Sequence, residues 1–267
     1  MRTDEPGGLQ SVSNALAVLE ILARQGAASG VAEVARQLDL PRSTTYRLLN
    51  TLERHGFVEQ DQDSRKYRLG LKLFELAGAV WGSLGLGEIA LPFLEQLARD
   101  TEETTHLAVA DRGEALVIEK VDSPREIYFR SYIGARRPLH CTAIGKALLA
   151  FWPEERREAL LAQGLRRFTL ATVTDPDRLR AELAEIRRRG YALNWGEYHE
   201  EAAGVSAPVR DRRGSVVAAV GVAAPIGRLP PPRAEGVASQ VLACASAISR
   251  RLGWHEMAAR APSLPGL

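Results

Sequence analysis

The sequence predicts an α+β protein in two folded parts, on three observations. Residues 31–69 hold two short amphipathic helical segments followed by two alternating segments around a polar turn. A breaker cluster of three glycines and a serine at Trp81–Gly87 then interrupts the chain. Beyond it, strand pairs with tight turns alternate with helices. That pattern favours antiparallel hairpins with packed helices over a doubly wound parallel sheet.

The first part is read in order. Ser13–Arg24 carries an apolar stripe at Leu16, Leu19 and Ile21–Leu22, with Ser13 or Asn14 as the expected cap. Val31–Leu38 is a short helix, Asp39–Pro41 a turn, and Arg42–Arg54 a second helix that Gly56 ends. Phe57–Gln60 and Arg65–Leu69 alternate like strands around Asp61-Gln62-Asp63-Ser64. Helix, turn, helix and hairpin is the order of a winged helix-turn-helix.

Helical geometry sorts the second helix into two sides. Thr45, Leu48, Leu49 and Leu52 fall on one face and must pack inward. Ser43, Arg47, Asn50 and Arg54 fall opposite, flanked by Thr44 and Tyr46, with Arg42 at the start. Hydroxyl, amide and guanidinium groups bond phosphates and base edges, and Arg can engage guanine through two donors. A merely solvated face is the plainer reading of an isolated helix, but the helix before it and the wing after it favour a groove-reading surface. At the hairpin tip Arg65 and Lys66 can reach phosphates, Arg68 less readily, with Tyr67 between them. The plainer reading there is a charged, soluble strand edge.

After the wing, residues 70–87 are expected to form a linker helix carrying Leu71, Leu73, Phe74, Leu76 and Ala77, ending near residue 85. The second part, residues 88–254, opens with a helix over Glu88–Asp100 that tolerates Pro92 in its first turn. Strands follow at Thr105–Ala110 and Ala115–Val121, with a third candidate at Glu126–Ser131. Helices are expected at Ala143–Phe151 and Glu154–Ala162. A third starts at a capping box of Thr174 and Asp177 and ends at Gly190. Val205–Arg210 and Val216–Ala224 flank a turn, and Arg233–Leu252 is the last helix. Residues 1–8 and 255–267 read as tails.

Composition bounds the function. The 267 residues are 45% hydrophobic and 25% charged, ordinary for a globular protein. A net charge of +2 is too small to diagnose nucleic-acid binding, so a local basic face has to carry that argument. Cys141 and Cys244 make no disulfide framework, which fits a reducing cytoplasm. Met1–Gly8 lacks the apolar core of a signal peptide, and no apolar run approaches the roughly 20 residues of a membrane span. His55, His106, His140, His199 and His255 are scattered without paired ligand spacing, so no metal or other cofactor is expected. His140-Cys141 has no nucleophile frame around it, so no enzymatic activity is expected.

Specific segments resemble the IclR family of transcriptional regulators over nearly the full length. They are Leu16-Ala17-Val18-Leu19, the run Leu40 to Leu49, Tyr67-Arg68-Leu69-Gly70, the run Pro138 to Ala147, and Gly204 to Asp211. The resemblance implies a winged-helix domain over residues 9–69, a linker helix, and a GAF/PAS-like effector-binding domain. It also implies a homodimer or dimer of dimers, double-stranded operator DNA as partner, and a small organic effector, with no membrane.

By the same resemblance the effector pocket includes the main chain at Ala143-Ile144, faced by Asn194, Gly204, Gly221 and Ala223, with Phe129 on the wall. A packed helix start around Gly145 explains the same residues without a ligand. Regulators of this family that sense small acids place an acid, a cysteine and serines at those positions. Asn194, Gly204, Gly221 and Ala223 therefore point to a larger, less polar ligand. Strand alternation lets only one of Phe129 and Arg130 face inward, and Phe129 is favoured. Trp195 lines the site or belongs to the core. The alternative from another class is a small-molecule-binding module or enzyme whose winged helix serves protein contacts.

Overall fold

The computed structural model describes residues 8–25, 27–129 and 131–254. The expected tails, apart from Gly8, and Arg130 lie outside the described residues. The chain divides into two compact units after Gly85.

In the first unit, α1 (Gln10–Gln25), α2 (Val31–Leu38) and α3 (Arg42–Arg54) precede a two-stranded antiparallel hairpin, β1 (Val58–Gln60) and β2 (Tyr67–Leu69). Val18, Ile21 and Leu22 of α1 meet Val34, Leu49, Leu52, Val58 and Tyr67 in one buried cluster. Each aliphatic side chain fully buried there is worth about 1.5–3 kcal/mol. Two expectations are corrected. α1 starts at Gln10, so neither Ser13 nor Asn14 caps it. Tyr67 does not stand among the basic groups of the wing. Its ring is fully buried, because strand alternation turns it inward while Lys66 and Arg68 point out.

α4 (Lys72–Leu84) runs straight through Gly82 and Ser83, so the supposed breaker cluster is mostly helix. Gly82 and Ser83 cost a helix only about 1 kcal/mol or less each, too little to end it. A new helix, α5 (Leu86–Thr101), starts directly after Gly85 and opens the second unit. Pro92 is therefore its seventh residue, inside the helix rather than in its first turn.

The second unit is built on a six-stranded antiparallel sheet in the order β5-β4-β3-β8-β7-β6. The strands are β3 (Thr104–Asp111), β4 (Glu114–Val121), β5 (Arg136–Pro138), β6 (Ala192–Trp195), β7 (Ala202–Arg210) and β8 (Val216–Pro225). Glu126–Ser131 is not a strand among its described residues. The segment lacks a pairing partner, and Arg136–Pro138 pairs β4 in its place. Without a strand there, alternation does not decide which way Phe129 faces. β6 was not foreseen, since four residues make too short a pattern to read.

Both sheet faces are covered. One face, with Val205, Ala207, Val220 and Val222, packs on α5 and on α9 (Pro231–Arg251). The other, with Ala108, Ala192 and Ala219, meets α6 (Ala143–Leu149), α7 (Glu154–Ala162) and α8 (Pro176–Arg189). Asp175, not Thr174, caps α8: its Oδ1 accepts from the Arg178 N–H at 2.9 Å, and Pro176 takes the first helical position. No described helix is long and apolar enough to cross a membrane.

Gly145 in the first turn of α6 has no room for a side chain. A Cβ there would lie 2.5 Å from the Pro138 carbonyl oxygen and 2.6 Å from Leu139 Cα, both backbone atoms that cannot swing aside. Gly145→Ala is expected to destabilise the protein by about 1–3 kcal/mol, read as a lower urea midpoint. An unchanged midpoint would show that this helix start is loosely packed.

Candidate functional site

The outer side of α3 is open. Arg42, Ser43, Thr44, Tyr46, Arg47 and Arg54 are exposed and Asn50 is half-buried, while Thr45, Leu49 and Leu52 are buried. The three arginines have no ion-pair partner among the described residues. The wing tip is preset by Asp61, whose Oδ1 accepts from Ser64 N–H at 2.7 Å and Ser64 Oγ–H at 2.6 Å. Those donors hold the Asp61 carboxyl below the usual carboxylate range. The turn is closed by Asp61 N–H to the Lys66 carbonyl at 2.8 Å, leaving Arg65 and Lys66 exposed. Arg68 differs: it pairs across the hairpin with Glu59 at 3.1 Å, so its charge is matched within the wing.

The second unit holds a small cavity of about 60 Å³ between the sheet and the start of α6. Its floor is set by strand register. His106 on β3 and Ser206 on β7 both pair with Gly221 on β8, while Thr104 and Gly204 both pair with Ala223. At the rim, Thr142 Oγ1 accepts from Gly145 N–H at 3.0 Å and caps α6. Of that helix's early N–H groups, Gly145 and Lys146 are thus bonded to Thr142, and those of Ala143 and Ile144 lie beyond the helix's own bonding.

One side of the cavity is aromatic. Phe129, His199 and Tyr198 follow one another with ring centroids 6.1 and 4.5 Å apart, and Phe168 continues the row 4.9 Å from Tyr198. Lys146 anchors this side from behind. It is fully buried, and its Nζ donates at 2.6 Å to both Glu182 on α8 and Glu197 beside Tyr198. Burial nonetheless holds the Glu197 carboxyl above the usual carboxylate range.

Two family models cover most of the chain: the bacterial transcriptional regulator IclR C-terminal model matches residues 78–250 and the IclR helix-turn-helix domain model residues 11–62. The chain belongs to the IclR family. It is 35% identical to the HTH-type transcriptional regulator XynR of Escherichia coli (strain K12), over 92% of this chain and 98% of that protein. It is 38% identical to the glycerol operon regulatory protein of Streptomyces coelicolor, over 92% and 97% of the two chains. Among solved structures, an IclR homologue from Microbacterium hydrocarbonoxydans complexed with 4-hydroxybenzoate aligns with a TM-score of 0.81 at 30% identity, covering 91% of this chain and 99% of that one. This protein is accordingly a transcriptional regulator with a DNA-binding and an effector domain, not an enzyme.

Within the IclR effector domain, six of the residues expected at the pocket line the cavity together: Phe129, Ala143, Ile144, Asn194, Gly204 and Ala223. Gly221 is not on its lining. A Cβ there would overlap the Ser206 hydroxyl, so Gly221 makes room for Ser206 instead. Asn194 is buried and its Nδ2 donates to the Cys141 carbonyl at 2.7 Å, tying β6 to the loop before α6. Trp195 belongs to the core on the other sheet face, donating to the Leu229 carbonyl at 2.9 Å. Sequence reasoning missed His106, Ser206, Tyr198 and His199 as lining residues. Adding their polar groups undercuts the inference of a larger, less polar ligand, which rested on four positions alone. Two of the histidines scattered in sequence thus share one cavity. Among the described residues, no cluster of His, Cys, Asp and Glu could hold a metal.

Burial pushes the Cys141 and Cys244 thiols up to about 12, so both are neutral, unreactive thiols at pH 7. His140 Nε2 is engaged with the Arg166 carbonyl at 2.9 Å rather than with its neighbour Cys141.

Burial, assisted by the Arg137 charge, lowers the His106 pKa from 6.5 to about 4. Between those values the unfolded chain holds a proton that the folded chain does not. Stability is therefore lost as pH falls from about 6.5 to about 4, by up to ~3 kcal/mol for this group. In urea titrations at about pH 7 and pH 5, His106→Gln is expected to shrink the acid-induced loss by about 1–2 kcal/mol. An identical loss in both proteins would mean His106 is solvated.

Proposed function

We propose that this IclR-family regulator reads double-stranded operator DNA with α3 and the wing, as a homodimer or dimer of dimers, and that a small organic acid in the effector-domain cavity shifts that binding. The observation that carries the DNA reading is the open outer side of α3, where Arg42, Arg47 and Arg54 have no carboxylate partner among the described residues. Ser43, Thr44, Tyr46, Asn50 and the wing's Arg65 and Lys66 complete the proposed contact set. Binding to DNA implies a cytoplasmic setting.

Two apolar helix faces support a second copy as partner. Leu9, Val12 and Leu16 recur along α1 and its entry, and Leu71 and Phe74 at the start of α4; all are exposed, Phe74 by 80%. Large apolar groups spaced along a helix face mark an association surface. A two-fold dimer then matches a near-palindromic site.

For the effector, the proposed set is Phe129, Ala143, Ile144, Asn194, Gly204 and Ala223, with Gly221 acting through Ser206. The relative complexed with 4-hydroxybenzoate supports an organic acid as the class. Such a ligand changes operator affinity only through its differential affinity for the two states of the protein.

The DNA reading is tested by fluorescence anisotropy on fragments selected in vitro from genomic DNA with the full chain. Arg47→Ala is expected to weaken binding by about 1–3 kcal/mol, roughly five- to a hundredfold, with the urea midpoint unchanged. Affinity should fall steeply with salt through counterion release. Salt-independent binding that ignores Arg47 would favour the alternative, a winged helix used for protein contacts.

Oligomerisation is read by sedimentation velocity. Phe74→Glu combined with Leu16→Glu is expected to move the protein to a lower oligomer and to cost affinity for two-half-site DNA. An unchanged sedimentation coefficient would remove these faces from the interface.

A further inference from the structure

Two side-chain atoms in the effector cavity are buried without a hydrogen-bond partner among the described residues: His106 Nδ1 and Ser206 Oγ. Folded proteins leave few such groups unpaired, and each one calls for a partner. These two belong to the same place. His106 on β3 and Ser206 on β7 flank Gly221 on β8, and all three project to the same sheet face. Neighbouring strands lie about 4.8 Å apart, so the two backbones stand roughly 10 Å apart with only a glycine between. The Ser206 hydroxyl overlies that glycine, filling the space a Cβ would take. The two side chains line the same cavity without a hydrogen bond to each other, which leaves a partner for both to an outside group.

We infer that the ligand of this cavity carries a hydroxyl group, which hydrogen-bonds both His106 Nδ1 and Ser206 Oγ. This inference rests on the reading of the cavity as the site for a small organic acid. It adds which functional group of that acid reaches the floor.

The chemistry of the floor selects a hydroxyl. Burial keeps the His106 imidazole neutral near pH 7, so Nδ1 carries a lone pair in one tautomer and an N–H in the other. Ser206 likewise donates or accepts. A hydroxyl does both and satisfies either combination. An ammonium only donates. A carboxylate only accepts, and among the described residues no cation stands on the floor to pair with it: the nearby Arg137 guanidinium lies over the Tyr198 ring, 5.8 Å from its centroid. Seating a carboxylate there would bury an unpaired charge, whereas a neutral hydroxyl avoids that cost. The ligand's charged end is thus left to the rim.

Size narrows the class further. At roughly 10–15 Å³ for each water-sized group, a cavity of about 60 Å³ takes a compact hydroxy acid. An aromatic hydroxy acid fits only if the Phe129–His199–Tyr198 side moves outward.

The test is calorimetric titration of the full chain with matched acids that differ by one hydroxyl: glycolate and acetate, lactate and propionate, 4-hydroxybenzoate and benzoate. At least one hydroxy acid is expected to bind about tenfold or more tightly than its partner, because the deoxy acid leaves two buried groups unpaired. Ser206→Ala is expected to bring that ratio to within about threefold, mainly by weakening the hydroxy acid. Equal affinities within every pair would overturn the inference while leaving the organic-acid reading standing, and would point to a bridging water. A ratio that Ser206→Ala leaves untouched would also overturn it. Binding by no acid up to millimolar concentration would overturn the organic-acid reading and the inference with it. Should Ser206→Ala fail to fold, the wild-type ratio decides alone.

Discussion

A single buried ammonium group holds the effector domain's ligand side together. Lys146 projects from α6 into a place with no exposure at all and bonds Glu182 on α8 and Glu197 on the segment after β6. Removing an ammonium from water is costly, and only two well-placed acceptors at 2.6 Å make it tolerable. The geometry joins three parts of the chain: the helix that begins at the cavity rim, the helix behind it, and the segment bearing Tyr198 and His199. Thr169 and Thr172 bond the Gly196 and Glu197 carbonyls at 2.6 Å and hold the same segment from its other side. Losing one partner of such a cluster leaves a charge buried alone. The arrangement therefore keeps the cavity walls in one place instead of merely adding stability.

Strand alternation does the complementary work on the floor. In β3, β7 and β8 every second residue faces α5 and α9; Leu107, Val205, Ala207, Val220 and Val222 there are aliphatic, and Thr105 satisfies its hydroxyl by donating to the Leu94 carbonyl of α5 at 3.0 Å. The intervening residues, Thr104, His106, Gly204, Ser206, Gly221 and Ala223, are small or polar and face the α6 side. A fully buried sheet would gain from apolar residues on both faces. The departure is confined to the few rungs beneath the first turn of α6, which is where the cavity lies.

These physical causes explain how much was legible in the sequence. The helices of the winged domain were readable because their apolar spacing is local: α2 and α3 fall at the expected residues. Gly204 on β7 and Ala223 on β8 also lie at the cavity, as the family pattern implied, while Gly221 does not. His106 and Ser206 were not legible as partners, being 100 residues apart in the chain. Their meeting depends on a register in which both oppose Gly221. β5 and β6 escaped because three or four residues carry no period, and Arg136–Pro138 contains a proline that reads against a strand. The glycines after Trp81 misled because a single glycine or serine costs a helix only about 1 kcal/mol or less, too little by itself to end one. Tyr67 misled for the opposite reason: it sits in a basic run, yet the two-residue period decides its direction.

One criterion connects the two functional regions: polar groups that the protein itself does not satisfy. On α8, Arg180 bonds Glu158 of α7 and Asp177, Arg188 bonds Glu185, and Arg187 and Arg189 bond backbone carbonyls. Arg228 and Arg233 likewise converge on the buried Glu103. On α3 none of Arg42, Arg47 and Arg54 meets a carboxylate among the described residues, and all three stand exposed and available to an external anion. The wing repeats the contrast within nine residues, Arg68 being matched by Glu59 while Arg65 and Lys66 are left open at the tip. In the cavity the unsatisfied groups are neutral and enclosed, which suits a small uncharged hydroxyl. On α3 they are cationic and solvated, which suits a long polyanion whose counterions leave on contact. Charge state and burial of the unpaired groups thus separate the partner each region is built to receive.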